Sequence, residues 1–179
     1  MAKKITKQQL INQLEHTKNN YILGLAAFSM FDSGLTNQQL AHHAAAFGEY
    51  TITFAQVVTL LQNPKDREIV LREFGKMLMR TLIKESFEHI KDYCEKTDQY
   101  IPFKAQSWYE FARMIRNFLS HNCKFEFNKY DKDRLPITWK EKAITIDLDN
   151  KSPDMSFFSY VETWELFQEF TIFVTNDLE

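Results

Sequence analysis

The sequence predicts an all-α fold: an up-and-down helical bundle with one small β-hairpin before the last helix. Three observations carry this. Gly and Pro number only four each in 179 residues, so turn signals are few and long helices are favoured over many short strands. Apolar residues recur at three- and four-residue steps through most of the chain, the period of a helix that buries one face. Only after Pro136 does the period change to two, as in a half-buried strand. A chain of this length fits a single domain over 1–179 with a sizeable core, and no internal repeat, low-complexity stretch or linker divides it. The 16 Phe residues read as core rather than as platforms for stacked bases.

The first helix is expected from Lys7 to Asp32. Thr6 and Gln9 form a capping box, Leu10, Leu14, Tyr21, Leu25 and Phe28 form its stripe, and Gly34 stops it. A second helix is introduced by Thr36 with Gln39 three residues on, and an unbroken stripe runs through Leu40, Ala44, Phe47, Thr51, Phe54, Val58 and Leu61. Gly48 and the β-branched run Thr51-Ile52-Thr53 mark a kink in it. Pro64 opens a third helix that reaches Lys96. Val70, Phe74 and Leu78 face one way along it, and Ile83, Phe87, Ile90 and Cys94 continue with a shifted phase. Such a helix suits two partners, for instance its own core and a second subunit. The fourth helix follows Ser107, whose capping box would close on Glu110, and ends near Asn122; its apolar arc is Trp108, Phe111, Ala112, Ile115, Phe118 and Leu119. A hairpin comes next, with Ile137 and Trp139 on one strand, Ile144, Ile146 and Leu148 on the other, and its loop near Lys140-Glu141. Ser159 with Glu162 caps the last helix, which carries Trp164, Phe167, Phe170 and Val174.

A net charge of −2 argues against a protein that coats nucleic acid generally. It leaves room for a local basic site, because Lys104 to Arg134 holds seven Lys or Arg against four acids. Cys94 and Cys123 have neither metal-binding nor redox spacing. Adjacent His42 and His43 would diverge by about 100° on a helix, and neither has a ligand at the next turn, so no metal and no cofactor is expected. No window of roughly 18 uncharged apolar residues could cross a bilayer. The expectation is a soluble, cytoplasmic protein with no membrane partner.

The chemistry concentrates in Arg116-Asn117-Phe118-Leu119-Ser120-His121. A fixed cation that steadies a phosphate, beside an imidazole that moves a proton, is minimal equipment for cutting RNA. Spacing alone is weak: with these numbers of Arg and His, chance supplies about 0.17 Arg-x4-His pairs. Placement says more. At about 100° per residue the apolar residues of this helix fill one half of the wheel. Arg113, Arg116, Asn117, Ser120 and His121 fill the other, with Glu110 beside His121. Arg116 and His121 are about 140° and about 7.5 Å apart, so their side chains diverge on one straight helix. Two copies of the helix across a two-fold axis would bring the Arg of one copy to the His of the other.

An Arg, a polar residue directly after it, and a His near the end of a helix in an all-α bundle resemble the HEPN superfamily. Its motif is an Arg, four to six residues and a His, matched here by Arg116, Asn117 and His121. The tract Pro136-Ile137-Thr138-Trp139 with its hairpin is also similar to several bacterial HEPN families. The resemblance covers chiefly Trp108 to His121, and the bundle more loosely. It implies a homodimeric endoribonuclease that works without a metal, in a toxin–antitoxin or phage-defence setting, with an antitoxin or regulatory protein as a further partner. It also implies roles. His121 would move the proton, Arg116 would stabilise phosphoryl charge, and Asn117 would orient one or the other. Arg113, Ser120 and Lys124 are the candidate substrate contacts. Two alternatives stand beside this: a non-catalytic nucleic-acid-binding or regulatory module on the same fold, and a protein-interaction scaffold. A nuclease needs Arg116 and His121 exposed in one cleft, a binding module needs only the basic patch, and a scaffold would bury or salt-bridge Arg116.

Overall fold

The computed structural model describes residues 5–34 and 37–179. The chain is mostly helical and carries two antiparallel hairpins rather than one. In order it forms α1 (Lys7–Ser33), α2 (Asn37–Leu40), β1 (Ala44–Phe47), β2 (Tyr50–Thr53), α3 (Ala55–Gln62), α4 (Pro64–Lys96), α5 (Tyr100–Lys104), α6 (Tyr109–Ser120), α7 (Lys129–Lys132), β3 (Ile137–Trp139), β4 (Lys142–Ile144) and α8 (Tyr160–Asn176). It divides into two compact units, one of the residues up to Asn19 together with Met79–Glu179, the other Asn20–Leu78. None of the described helices is long and apolar enough to cross a membrane.

The start of α1 is fixed by the expected box, in which Thr6 N–H donates to Gln9 Oε1 at 2.9 Å and Gln9 N–H to Thr6 Oγ1 at 3.2 Å. Gly34 ends the helix with φ +71°, a conformation glycine adopts without a Cβ penalty. The second expected helix does not form. Thr36, its expected cap, lies outside the described residues. Beyond it the chain makes one turn of helix, then the β1–β2 hairpin, then α3. The hairpin pairs Ala44 with Thr53 and Phe47 with Tyr50, and Gly48 at φ +59° makes the tight reversal. The residues read as a kink, Gly48 and Thr51-Ile52-Thr53, are turn and strand formers, and here they prevail over the helical stripe. Phe47 is 61% exposed, while Val58 and Leu61 on α3 are buried. His42 and His43 consequently sit in the turn before β1, not on a helix.

α4 runs from Pro64 to Lys96 as expected. Its change of phase coincides with the division of the chain. Phe74 and Leu78 serve the second unit, where Phe28 stacks on Phe74 at 6.4 Å and Leu78 is buried. Ile83, Phe87, Ile90 and Cys94 are buried in the first unit. The two faces therefore serve the two units of one chain. Burial pushes the Cys94 thiol up to about 12, which keeps it protonated and unreactive.

The first unit is built around α6 and α8. Capping of α8 is as expected: Ser159 N–H donates to Glu162 Oε2 at 2.8 Å and Ser159 Oγ accepts from the Val161 N–H at 3.1 Å. Although partial burial opposes it, hydrogen bonds from Ser159 and Lys142 hold the Glu162 carboxyl down at about 2. The capping box expected for α6 is absent. Trp108 is its N-cap without a side-chain bond, and Glu110 instead accepts from Arg113 Nε at 2.8 Å and from the Tyr130 hydroxyl at 3.0 Å. Packing positions this helix start, since Trp108 and Tyr109 are both buried. The hairpin turn falls at Lys140-Glu141 as expected, with Ile137 paired to Ile144 and Trp139 to Lys142. Its second strand stops at Ile144, however, and Ile146–Leu148 make a 3-10 turn. The chain bends there to meet the segment after α6, where Phe125 N–H donates to Lys151 O at 2.9 Å and Asn150 N–H to Phe125 O at 2.8 Å.

Candidate functional site

α6 divides sharply into an apolar and a polar half. Phe111, Ala112, Ile115, Phe118 and Leu119 are buried, as the sequence predicts. Phe111 stacks on Trp139 of β3 at 5.1 Å, Phe118 on Phe125 at 4.5 Å, and Trp108 packs on Phe170 of α8 at 5.0 Å. With that half held by the hairpin, the 125–127 segment and α8, the polar half is left to face α4, α7 and solvent.

Arg116 lies in the last turn of α6. Its Nη1 donates to Asn117 Oδ1 at 2.7 Å, and its Nη2 forms an ion pair with Glu88 of α4. The two charged side chains are 30% and 34% exposed, so the pair is partly buried, between core and open surface. Arg116 Nε is buried without a partner. His121 is the C-cap of α6, exposed, its N–H donating to Asn117 O at 2.9 Å. Asn117 therefore touches both ends of the motif, the Arg through its side chain and the His through its backbone. Asn122 and Cys123 follow with φ +55° and +57°. Two successive non-glycine residues in the left-handed region make a strained turn, and it reverses the chain directly behind the imidazole.

The other candidates are placed differently. Arg113 is 17% exposed and bonds Asp131 Oδ1 at 2.6 Å as well as Glu110. Asp131 is buried and closes the capping box of α7 with Asn128, so Arg113 fastens α6 to α7. Two guanidinium groups approach the Tyr130 ring, that of Arg113 at 5.0 Å and that of Arg134 at 3.4 Å. Ser120 Oγ donates back to Arg116 O at 2.8 Å. Lys124 Nζ pairs with Glu126 at 2.9 Å on the surface. The wheel places Glu110 beside His121, but eleven residues of helix separate them by about 16 Å along the axis, and Glu110 is occupied by Arg113 and Tyr130.

The structure thus joins Arg116 to Asn117 and gathers Asn117, His121 and Lys124 around a dimple of about 10 Å³, room for one water molecule. It does not bring Arg116 and His121 into one cleft of a single chain. A larger hollow, about 600 Å³, lies in the second unit against Asn37, Gln38, His42, Val58 and Gln62; it lacks a paired acid and base and offers no comparable chemistry. Sequence reading missed Glu88, Arg80 and Lys84. Arg80 Nε donates to Leu119 O, one of the last carbonyls of α6, at 2.6 Å. The signal was the four-residue step Arg80-Lys84-Glu88, which places all three on one flank of α4. No family model matches this chain, and neither a curated protein nor a solved structure is detectably similar to it.

Proposed function

We propose that this chain is a metal-independent endoribonuclease on a HEPN-like up-and-down bundle, cutting RNA at a site that a second copy completes. The observation that carries the reading is the linked motif at the exposed end of α6: Arg116 bonded to Asn117, and His121 at the C-cap, just before the strained Asn122-Cys123 turn. In the reaction the RNA 2′-oxygen attacks the adjacent phosphorus. The 2′-O–P bond forms and the P–O5′ bond breaks, leaving a 2′,3′-cyclic phosphate and a 5′-hydroxyl. His121 takes the 2′-hydroxyl proton, and the imidazolium so formed returns it, directly or through a water molecule, to the departing 5′-oxygen. Arg116 steadies the charge on the phosphoryl oxygens. Its bond to Glu88 does not forbid this, because the pair is only partly buried and a phosphate oxygen can take Glu88's place on Nη2. A protein that neutralised the activity, as in a toxin–antitoxin pair, would cover this end of α6.

The Glu88 pair and the shallow surface favour a second reading, a binding or interaction module without chemistry. Both are tested on labelled single-stranded RNA in EDTA. Wild type is expected to cleave, and His121→Ala to lose about 10²–10⁴ in rate with an unchanged circular dichroism spectrum. Arg116→Lys is expected to restore little to an Arg116→Ala enzyme, since a point charge lacks the planar fork. Equal cleavage by wild type and His121→Ala removes the nuclease reading. RNA binding with no cleavage by either establishes the binding module.

A further inference from the structure

We propose that Arg80 and Lys84 of α4 form a track for the sugar-phosphate backbone of single-stranded RNA, leading to Arg116 and His121. The inference rests on the reading of α6 as an RNA-handling helix and names how the strand is held there.

Three observations support it. The flank of α4 that bears Arg80, Lys84 and Glu88 is pinned to α6 at both ends, by Arg80 Nε on Leu119 O at 2.6 Å and by Glu88 on Arg116. Lys84, midway between them on that flank, therefore runs beside the last turn of α6. Second, among the described residues neither cation is held in an ion pair, although Glu88, itself bound to Arg116, stands one turn from Lys84 on the same flank. Elsewhere on α4, Arg67, Arg72, Lys76, Lys91 and Lys96 each have a carboxylate partner. The Nη atoms of Arg80 and the Nζ of Lys84 have none among the described residues, nor does Lys65 at the far end of the helix. Third, Arg80 is held ready. Its Nε is tied to a carbonyl at the negative end of α6, which fixes the guanidinium in place while its Nη groups, the donors that grip a phosphate, carry no ion pair among the described residues.

One turn of α4 separates the two cations by about 6 Å along the axis, comparable with the step between successive phosphates of an extended strand. Neither side chain reads a base edge, so the track positions RNA without selecting sequence.

The test is fluorescence anisotropy of the full chain with a short labelled 2′-O-methyl oligouridylate. That probe carries the phosphates but no 2′-nucleophile, so binding is read without cleavage. The log–log dependence of affinity on salt is measured for wild type, Lys84→Ala, Lys84→Glu, Arg80→Lys and Lys96→Ala, with the fold checked by thermal melting. Lys84→Ala is expected to weaken binding and to flatten the salt slope by about 0.7, one released counterion on a single strand. Lys84→Glu should weaken it further, Arg80→Lys should retain part of the affinity, and Lys96→Ala, which removes a cation already paired with Asp92, should keep the wild-type slope. Wild-type affinity and slope in both Lys84 variants overturn the track, as does an absence of wild-type binding. Cleavage of unmodified RNA separates the two ideas. Lys84-dependent binding without cleavage leaves the track standing and removes the nuclease; cleavage with binding indifferent to Lys84 does the reverse.

Discussion

At the scale of single residues, the polar half of α6 contains two kinds of arginine. Arg113 is enclosed between Glu110 and the buried Asp131, and its charge is spent on the fold. Arg116 has a partly buried partner and an adjacent amide, and its charge remains exchangeable. The difference is measurable. Removing Arg113 strands the Asp131 carboxylate in a buried site, so Arg113→Ala should cost about 3–5 kcal/mol in urea unfolding, with part of the loss recovered when Asp131→Asn is added. Lys124→Ala, which breaks only an exposed pair with Glu126, should cost less than about 1 kcal/mol. A small effect at Arg113 would show that its guanidinium is free for substrate, as the helical wheel alone allows.

At the scale of elements, α6 is a lever set by aromatic packing rather than by its ends. It has no N-cap side-chain bond, and its register is fixed by Phe111 against Trp139 and Phe118 against Phe125. Phe111 is completely buried, so Phe111→Ala should cost about 3–5 kcal/mol, read by urea or thermal unfolding. If a substantially smaller loss were measured, the hairpin would not be what holds this helix. The β1–β2 hairpin is a different case. Its strands are exposed at nearly every position, so it contributes little to the core beneath it. Substitutions at Phe47 or Tyr50 should barely move stability.

At the scale of the whole molecule, one chain holds Arg116 and His121 on the same helix end without enclosing a phosphate between them. A two-fold pair of chains would supply the missing half. This arrangement has a signature that a site within one chain lacks. Arg116→Ala and His121→Ala are each expected to be inactive, but mixed under conditions that exchange subunits they should recover about a quarter of wild-type cleavage. Half the dimers are then mixed, and one of their two sites has both groups intact. Sedimentation of wild type should show twice the monomer mass. No recovery on mixing, with subunit exchange verified, would place the whole site in one chain and remove the composite geometry.

Much of this protein could be read before any coordinates, for local reasons. Caps act within four residues, so the Thr6–Gln9 and Ser159–Glu162 boxes and the reach of α1 and α8 followed from short strings. The apolar arc of α6 followed from periodicity, because one buried face leaves an imprint every three or four residues, and the start of α4 from Pro64. Periodicity failed where two structures share a pattern. The stripe from Leu40 to Leu61 suits a helix, yet a glycine at φ +59° and a β-branched run turned its middle into a hairpin. Tertiary structure alone decided what the polar face of α6 meets. Glu88 on Arg116, Asp131 on Arg113 and Arg80 on the Leu119 carbonyl join residues 28, 18 and 39 positions apart. No local rule couples such positions, because their meeting depends on how α4, α6 and α7 pack, and that packing separates the arginine committed to the fold from the one left for chemistry.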